Sequence, residues 1–282
     1  MKRLVISVVA LMMTGIFSAA DAQMFNPVIK RDDIYNRKPI PLPKVREADV
    51  FWMKTVWRII DLREKINQPM YFPTEEIGGR TNLINVLLKG IEDGVVTAYD
   101  ARSDDEFRMP ITFSEVKDRF GAKTVTKRVQ NFETGEWQNK TIAGQIRTEE
   151  VKQVMLKEVW YFDKHTSTMQ VRILGMCPIR IYLPEDATAA SAVERSKVFW
   201  VSYPEARQVL ARNPVFNPHN DAATISFDDM FIKRMFTGYI VAESNTFNNR
   251  LISQYLSAEE AMMESKRVEE KMFNFEQDLW EY

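Results

Sequence analysis

Two histidines are the side chains of this sequence that come closest to catalytic chemistry. His165 follows Asp163 and precedes Ser167, so one short stretch holds the residue types of a serine hydrolase. A working triad must converge in space beside a separate oxyanion hole, which neighbours on one tight turn rarely do. We therefore interpret the stretch as a solvated turn. His219 lies in a segment typical of a loop, Asn217–Asp221, without a partner at zinc-ligand spacing.

A group of carboxylates after a predicted strand could hold a cation. It comprises Asp100, Asp104, Asp105 and Glu106. A calcium loop of the EF-hand type also needs a central glycine and a distal glutamate, which this stretch lacks, so we predict a solvated loop and no metal site. Carboxylates that the fold brings together could still cleave a glycosidic bond. A periplasmic protein that binds or hydrolyses peptidoglycan is therefore the alternative function.

Short motifs for catalysis or cofactor binding are missing from the sequence. It contains no glycine-rich nucleotide loop, no H-E-x-x-H, no G-x-S-x-G and no C-x-x-C. We predict that the protein is not an enzyme and has no cofactor. The formal net charge of −1 provides no basic surface for nucleic acid.

The chain has a single cysteine, Cys177, so it cannot form an internal disulfide. Its neighbours Met176 and Pro178 suggest a buried, unreactive thiol. A covalent link to a partner chain is the other interpretation, because an unpaired cysteine in an exported protein can pair between molecules.

The first residues predict export. Lys2 and Arg3 precede an uncharged apolar stretch over residues 4–20, and Ala20-Asp21-Ala22 offers small residues for cleavage after Ala22. A retained anchor helix is the alternative, since the stretch is near the shortest membrane span. No later segment has the apolar length of a transmembrane helix, so we expect a periplasmic protein without direct membrane insertion.

Residues 23–46 form a proline-rich arm in our interpretation. The repeated prolines fix the backbone in extended conformations, and the segment has too few apolar residues to fold alone. It is either a disordered tail or a strap that docks on a neighbouring subunit, since a stiff segment loses little entropy on binding. The candidate partner-binding residues are Tyr35, Pro39, Ile40, Pro41, Leu42 and Pro43.

The rest of the chain, 47–282, reads as a single α+β domain, with helices at both ends around a central antiparallel sheet. Apolar spacing predicts helices from Asp49 to Ile66 and from Thr81 to Asp93, the second followed by Gly94 as its C-terminal cap. Alternating residues predict a hairpin of Lys152–Phe162 with Met169–Leu174. Further elements are a strand at Val95–Tyr99, a hairpin of 123–132 with Trp137–Ile142, and helices that start at Thr112, Ser202, Ser226 and Ser257.

Aromatic residues cluster at three places and allow two interpretations. The clusters are Trp160-Tyr161-Phe162, Phe199-Trp200 and Leu279–Tyr282. Aromatic side chains dominate protein cores, which is the simpler interpretation. They also concentrate binding energy at interfaces, which is the functional one.

Several ordered strings of residues resemble the GldN family of gliding-motility proteins, called PorN in non-gliding relatives. The most specific string runs from Trp160 through Lys164 to Val171–Met176 and Pro178. The others are Asp61–Pro69, Asn82–Gly94, Thr97–Asp100, Asp104–Phe107, Phe227–Asp229 with Arg234 and Phe236, Glu243–Asn245 and Phe275–Tyr282. Together they extend from about residue 47 to the C-terminus, whereas the arm matches only in character.

The resemblance implies a periplasmic component of the type IX secretion system of Bacteroidetes. Such a protein is expected to form a ring with an outer-membrane lipoprotein of the GldK or PorK type. It is also expected to approach the periplasmic region of a motor protein of the GldM or PorM type. The resemblance carries no catalytic residues. It agrees with an exported chain that has no lipid anchor of its own and must be held by a partner.

Overall fold

The computed structural model describes residues 34–102, 105–122, 125–130, 137–142, 144–184, 193–218, 220 and 222–279. The predicted signal segment (1–22), the first part of the arm (23–33), Asp104, His219 and Trp280–Tyr282 lie outside these residues. Within the described ranges, no helix combines the length and apolar character needed to cross a membrane. The class is α+β, as predicted.

A large antiparallel sheet forms the centre of the described chain. Its strands are β1 (Val50–Asp61), β2 (Ala98–Asp100), β3 (Pro110–Ile111), β6 (Val151–Asp163), β7 (Thr168–Tyr182), β8 (Glu194–Lys197), β9 (Phe199–Ser202) and β12 (Tyr239–Glu243). They run in the order β12-β1-β6-β7-β9-β2-β3, and β8 pairs with β7 on the same side as β9. Two small hairpins join β4 (Val125–Gln130) to β5 (Trp137–Ile142) and β10 (Pro214–Val215) to β11 (Ile225–Ser226).

Six α-helices accompany these strands in the described ranges. They are α1 (Gln68–Tyr71), α2 (Leu83–Glu92), α3 (Phe113–Arg119), α4 (Tyr203–Leu210), α5 (Phe227–Ile232) and α6 (Ala258–Asp278). Short 3-10 helices lie at Ile34–Asn36, Glu47–Asp49, Thr148–Glu150 and Ile252–Gln254. Helix α4 packs on β7 and β9, whereas α6 packs on the edge strand β12.

The predicted helix from Asp49 to Ile66 is wrong, because this segment is the long strand β1. Val56 and Ile60 are buried on one face of the sheet, and Trp57 is buried on the other. A strand buried on both faces shows a continuous apolar run rather than alternation. Such a run also matches helical spacing, so periodicity alone does not separate the two structures.

Local signals correctly marked the starts of helices α2 to α6, whereas α1 was not predicted. Helix α2 begins after Asn82, whose side chain accepts from Asn85 N, and Gly94 follows it with a φ of +70°. Thr112, Ser226 and Ser257 each form a capping box at the start of α3, α5 and α6. In these boxes a hydroxyl and a carboxylate each satisfy a backbone N–H that the helix leaves unpaired.

The predicted long hairpin is the pair β6–β7, in which β7 continues past Leu174 to Tyr182. The hairpin of 123–132 with Trp137–Ile142 is confirmed as the pair β4–β5. The strand predicted at Val95–Tyr99 begins later, at Ala98.

The core lies on both faces of the sheet. On one face, Val154, Leu156 and Met176 pack under α2, α4 and α5. The same face carries Val56 and Ile240 under Val268 and Met272 of α6. The opposite face buries a group around Trp57, with Met155, Cys177, Ile179 and Trp200. Each large apolar side chain buried in this way contributes about 1.5–3 kcal/mol.

A buried ionic group lies between the two clusters on the helical face. Glu158 is fully buried and accepts from Arg58 Nε at 3.4 Å, Arg234 Nη1 at 3.0 Å and Trp160 Nε1 at 3.1 Å. Arg58 Nη1 also donates to Glu269 Oε1 of α6 at 3.2 Å. The group therefore connects the sheet, the segment after α5 and helix α6 through hydrogen-bonded charges.

Candidate interaction site at the proline-rich arm

The described part of the arm, residues 34–46, lies against the chain's own domain. Pro39, Leu42 and Val45 are partly buried, whereas Ile40 and Pro41 between them are exposed. This spacing of three matches a polyproline II helix, which has three residues per turn, so that one ridge of side chains faces the domain. The outward ridge carries Ile40, which is 71% exposed.

The N-terminal end of this segment is fixed by two contacts. Ile34 is buried, at 7% exposure. The next residue, Tyr35, is half exposed, and its hydroxyl donates to the carbonyl of Gly79 at 3.4 Å. Gly79 has a φ of +73°, a conformation that side-chain-bearing residues rarely adopt. The aromatic ring of Tyr35 is therefore held in place while much of its surface stays accessible.

An ion pair joins the arm to the start of α5. Arg37 Nη1 lies 2.8 Å from Asp229 Oδ2, and the two side chains are 40% and 24% exposed. Asp229 also accepts from the backbone N–H and hydroxyl of Ser226 in the capping box. A partly exposed pair of this kind contributes about 0–1 kcal/mol, so it stabilises this position of the arm only weakly.

Arg207 provides the most buried contact with the arm. Its Nη2 donates to the carbonyl of Ile40 at 2.5 Å. The same guanidinium binds Asp228 through Nε at 2.9 Å and Nη2 at 3.0 Å. The side chains of Arg207 and Asp228 are 7% and 5% exposed, so this bidentate pair is shielded from solvent.

Tyr203 completes this buried group by donating its hydroxyl to Asp228 Oδ1 at 2.9 Å. Burial, together with the negative charge of Asp228, raises the pKa of Tyr203 far above its ordinary value. The phenol therefore stays neutral and remains a donor at any physiological pH. Tyr203, Arg207 and Asp228 form a pre-arranged seat, which offers an arginine N–H to the arm backbone.

A second arginine holds the arm near its C-terminal end. Arg172 Nη2 donates to the carbonyl of Pro43, and its Nε donates to the hydroxyl of Tyr161 at 3.3 Å. The arm then passes into β1, and Lys164 N in the β6–β7 turn donates to Asp49 O at 2.8 Å. Both arginine contacts are made to backbone carbonyls, so they recognise the extended course of the arm.

A groove of about 350 Å³ lies between the arm and helices α4 and α5. Its lining combines cationic, acidic and small side chains. The lining residues are Arg37, Lys38, Pro39, Ile40, Ala211, Thr224, Ser226, Asp228, Asp229 and Lys233.

The six candidate residues of the arm are therefore placed, but their binding to a partner stays a prediction. Sequence reasoning missed the residues that receive the arm, namely Arg172, Arg207, Asp228 and Asp229. Arg207 offered a signal, because it occupies the buried face of α4 with Ala206 and Leu210. A charged residue on an apolar helix face needs a buried partner.

The histidine that suggested catalysis lies in an exposed turn. Asp163 accepts from His165 N at 2.9 Å and from Thr166 Oγ1 at 3.1 Å, so it stabilises the turn, as interpreted from the sequence. Ser167 has a φ of +52° at the end of this turn.

Asp100 at the end of β2 and Asp105 after it are engaged in structural contacts. Asp100 lies 2.5 Å from Arg119, and Asp105 accepts from Trp57 Nε1 and lies 3.5 Å from Lys157 Nζ. In the portions of the chain that the structure describes, no group of histidine, cysteine and carboxylate side chains could hold a metal ion.

Two of the aromatic clusters belong to the core. Tyr161, Phe162, Phe199 and Trp200 are buried, and Trp160 donates to Glu158 inside the ionic group. The exposed apolar side chains lie elsewhere. They include Phe51 and Met53 of β1, Phe247 after β12, and Met262, Met263 and Phe273 of α6.

Comparison with protein-family models matches residues 45–281 to the family of gliding motility associated protein GldN. The chain belongs to the GldN family. The match covers the whole sheet with its helices and includes only the last two residues of the arm. A search of curated proteins finds no match. Membership of the GldN family associates the chain with gliding motility and type IX secretion.

Proposed function

We propose that the protein is a non-enzymatic structural subunit of a periplasmic ring of the type IX secretion system. In this proposal it assembles with an outer-membrane lipoprotein of the GldK or PorK type. It also contacts the periplasmic region of a motor protein of the GldM or PorM type. The GldN match over residues 45–281 carries the proposal, because it includes nearly all of the folded domain.

Surface features support an assembly role. Exposed apolar side chains lie at two separate places. Phe247 and the outer side of α6 lie near β12, whereas Ile40 of the arm lies near α4. Strand β12 is one edge of the sheet, and α4 covers strands of its other half. A ring needs different surfaces on the two sides of each subunit, so that head-to-tail contacts close by rotation.

Export to the periplasm belongs to the same proposal and is tested separately. The cleavage site after Ala22 predicts a mature N-terminus at Gln23. N-terminal sequencing of the protein isolated from the periplasmic fraction should give this residue. A protein that keeps Met1 would contradict cleavage.

Deletion of the arm tests the assembly. A chain without residues 23–46 should stay folded, because the core clusters draw on residues after the arm. It should fail to form rings when co-expressed with its lipoprotein partner. Circular dichroism and melting would check the fold, and electron microscopy of co-purified material would check the rings.

The matched control removes only residues 23–33 and keeps the arm contacts from Ile34 onwards. This shorter deletion should still form rings. Rings of normal size from the full deletion would refute a role of the arm. Failure of the intact protein to co-purify with the lipoprotein would refute the assembly itself.

A further inference from the structure

The contacts that hold the arm are independent of which copy supplies it. Arg207 and Arg172 bind the backbone carbonyls of Ile40 and Pro43, and Asp229 binds the guanidinium of Arg37. Every copy of the chain carries the same arm and the same receiving residues. An arm from a neighbouring molecule would therefore make identical contacts in the seat.

The seat is shielded from solvent while an arm occupies it. Arg207 Nη2 donates to both Asp228 and the carbonyl of Ile40, and the Arg207 side chain is 7% exposed with the arm in place. Removal of the arm takes away one of these two acceptors and opens the arginine–aspartate pair to water, which costs part of the hydrogen-bond energy. The arm is therefore expected to leave its seat mainly when another arm takes its place.

The other described contacts of the arm, such as the Tyr35–Gly79 hydrogen bond and the partly buried Pro39, Leu42 and Val45, are equally available in the seat of a neighbour. Within residues 34–46, Ile34 is the buried apolar residue, and Ile40 is 71% exposed. The seat on the same chain is favoured over that of a neighbour mainly by effective concentration. The covalent connection raises this concentration to about millimolar for a short flexible linker. Neighbours held at fixed spacing in an assembly offer their seats at a comparable effective concentration.

We propose that the arm of each copy occupies the Tyr203–Arg207–Asp228 seat of the next copy in the ring. This inference rests on the proposed ring and names a second copy of the chain as the partner of the arm. Each subunit then donates on one side and accepts on the other, and exchange of an identical element links subunits at low cost.

The length of the arm permits this exchange. If Arg37 to Pro43 lie in the neighbour's seat, residues 44–49 connect them to β1 and span about 19 Å at about 3.1 Å per residue. A domain of this size has a radius of gyration of about 18 Å, so this connection can reach a seat at the surface of an adjacent molecule.

Cysteine trapping of assembled material tests the exchange. Lys38 of the arm and Thr224 beside the seat line the same groove, and the buried native Cys177 does not interfere. Rings purified from the double variant Lys38→Cys, Thr224→Cys are treated with a short bismaleimide linker and run on a denaturing gel. Exchange predicts a ladder of dimers and larger covalent species.

Two controls make the result specific. Rings of either single variant should give only the monomer band, whereas rings of the two single variants mixed should give dimers, which can form only between chains. Assembled rings without interchain links from the double variant would overturn the exchange and leave the proposed function standing. Absence of rings in the unmodified protein would instead refute the proposed function.

Discussion

The environment of Cys177 shows how burial decides the chemistry of a side chain. The thiol is fully buried between the sheet and its covering residues, and burial raises its pKa to about 12. The thiolate is the reactive form, so the folded protein holds this cysteine in an inert state. The geometry favours the unreactive thiol over a link to a partner chain.

Alkylation measures the reactivity of the Cys177 thiol directly. Native protein should show no reaction with iodoacetamide over a time in which an exposed thiol reacts fully, and denaturation should release one reactive thiol per chain. The Lys38→Cys variant supplies an exposed thiol as the positive control. Modification of Cys177 in the native protein at the rate of residue 38 would contradict this account.

Asp61 at the end of β1 should make stability depend on pH. A hydrogen bond from Arg63 is the main cause that lowers the pKa of Asp61 from 3.8 to about 2, and Gln153 Nε2 also donates at 3.2 Å. A carboxyl with a lowered folded pKa stabilises the fold above the unfolded pKa. This stabilisation is lost as the pH falls from about 4 towards 2.

The variant Asp61→Asn should lower the free energy of unfolding by about 1–2 kcal/mol at pH 7, a value reduced for the exposure of Arg63. Urea unfolding from pH 7 to pH 3 should show the difference from the original protein shrinking below pH 4. Asp118→Asn, an exposed change in α3, is the control and should show a small, constant difference. A difference at Asp61 that stays constant with pH would refute the interpretation.

At the scale of elements, the ionic group around Glu158 fastens three separate pieces of structure. Arg58 comes from β1, Arg234 from the segment after α5, and Glu269 from α6. The Arg234 guanidinium also stacks 5.3 Å from the centre of the Trp160 ring. Glu158 is the buried counter-charge of Arg58, whose second partner Glu269 is 55% exposed, and it also pairs with Arg234, which is 30% exposed.

Replacement of Glu158 by Gln should therefore destabilise the protein by about 3–5 kcal/mol, since the buried Arg58 loses its buried counter-charge. The matched control is Glu270→Gln in α6. Glu270 and its partner Lys266 are 60% and 77% exposed, so the loss of this pair should change the free energy of unfolding by less than about 0.5 kcal/mol. Urea unfolding of both variants compares them. Equal effects would show that the buried group does not fasten the fold.

The whole molecule combines a rigid sheet with an arm that is attached through polar contacts. The long strands β1, β6 and β7 form a continuous antiparallel centre, and cores on both faces fix its covering helices. In its described part, the arm adds the buried Ile34, the partly buried Pro39, Leu42 and Val45, the Tyr35–Gly79 hydrogen bond and three contacts that involve arginine. In the proposed ring, such a subunit keeps its shape while its arm is exchanged.

Much of this architecture follows from local sequence. The capping boxes at Thr112, Ser226 and Ser257 marked helix starts correctly because each satisfies backbone groups within four residues of itself. The alternation around Val171 identified the β6–β7 hairpin because one turn joins its strands. The strings shared with the GldN family likewise depend only on residue order.

Only the tertiary structure decided that residues 50–61 form a strand, because burial on both faces removes the alternation by which a strand is recognised. It also decided where the arm lies. Arg207 and Ile40 are 167 positions apart, and Arg58 and Glu158 are 100 apart. No local pattern encodes such pairs, since the partner of a buried charge is chosen by the packing of distant elements.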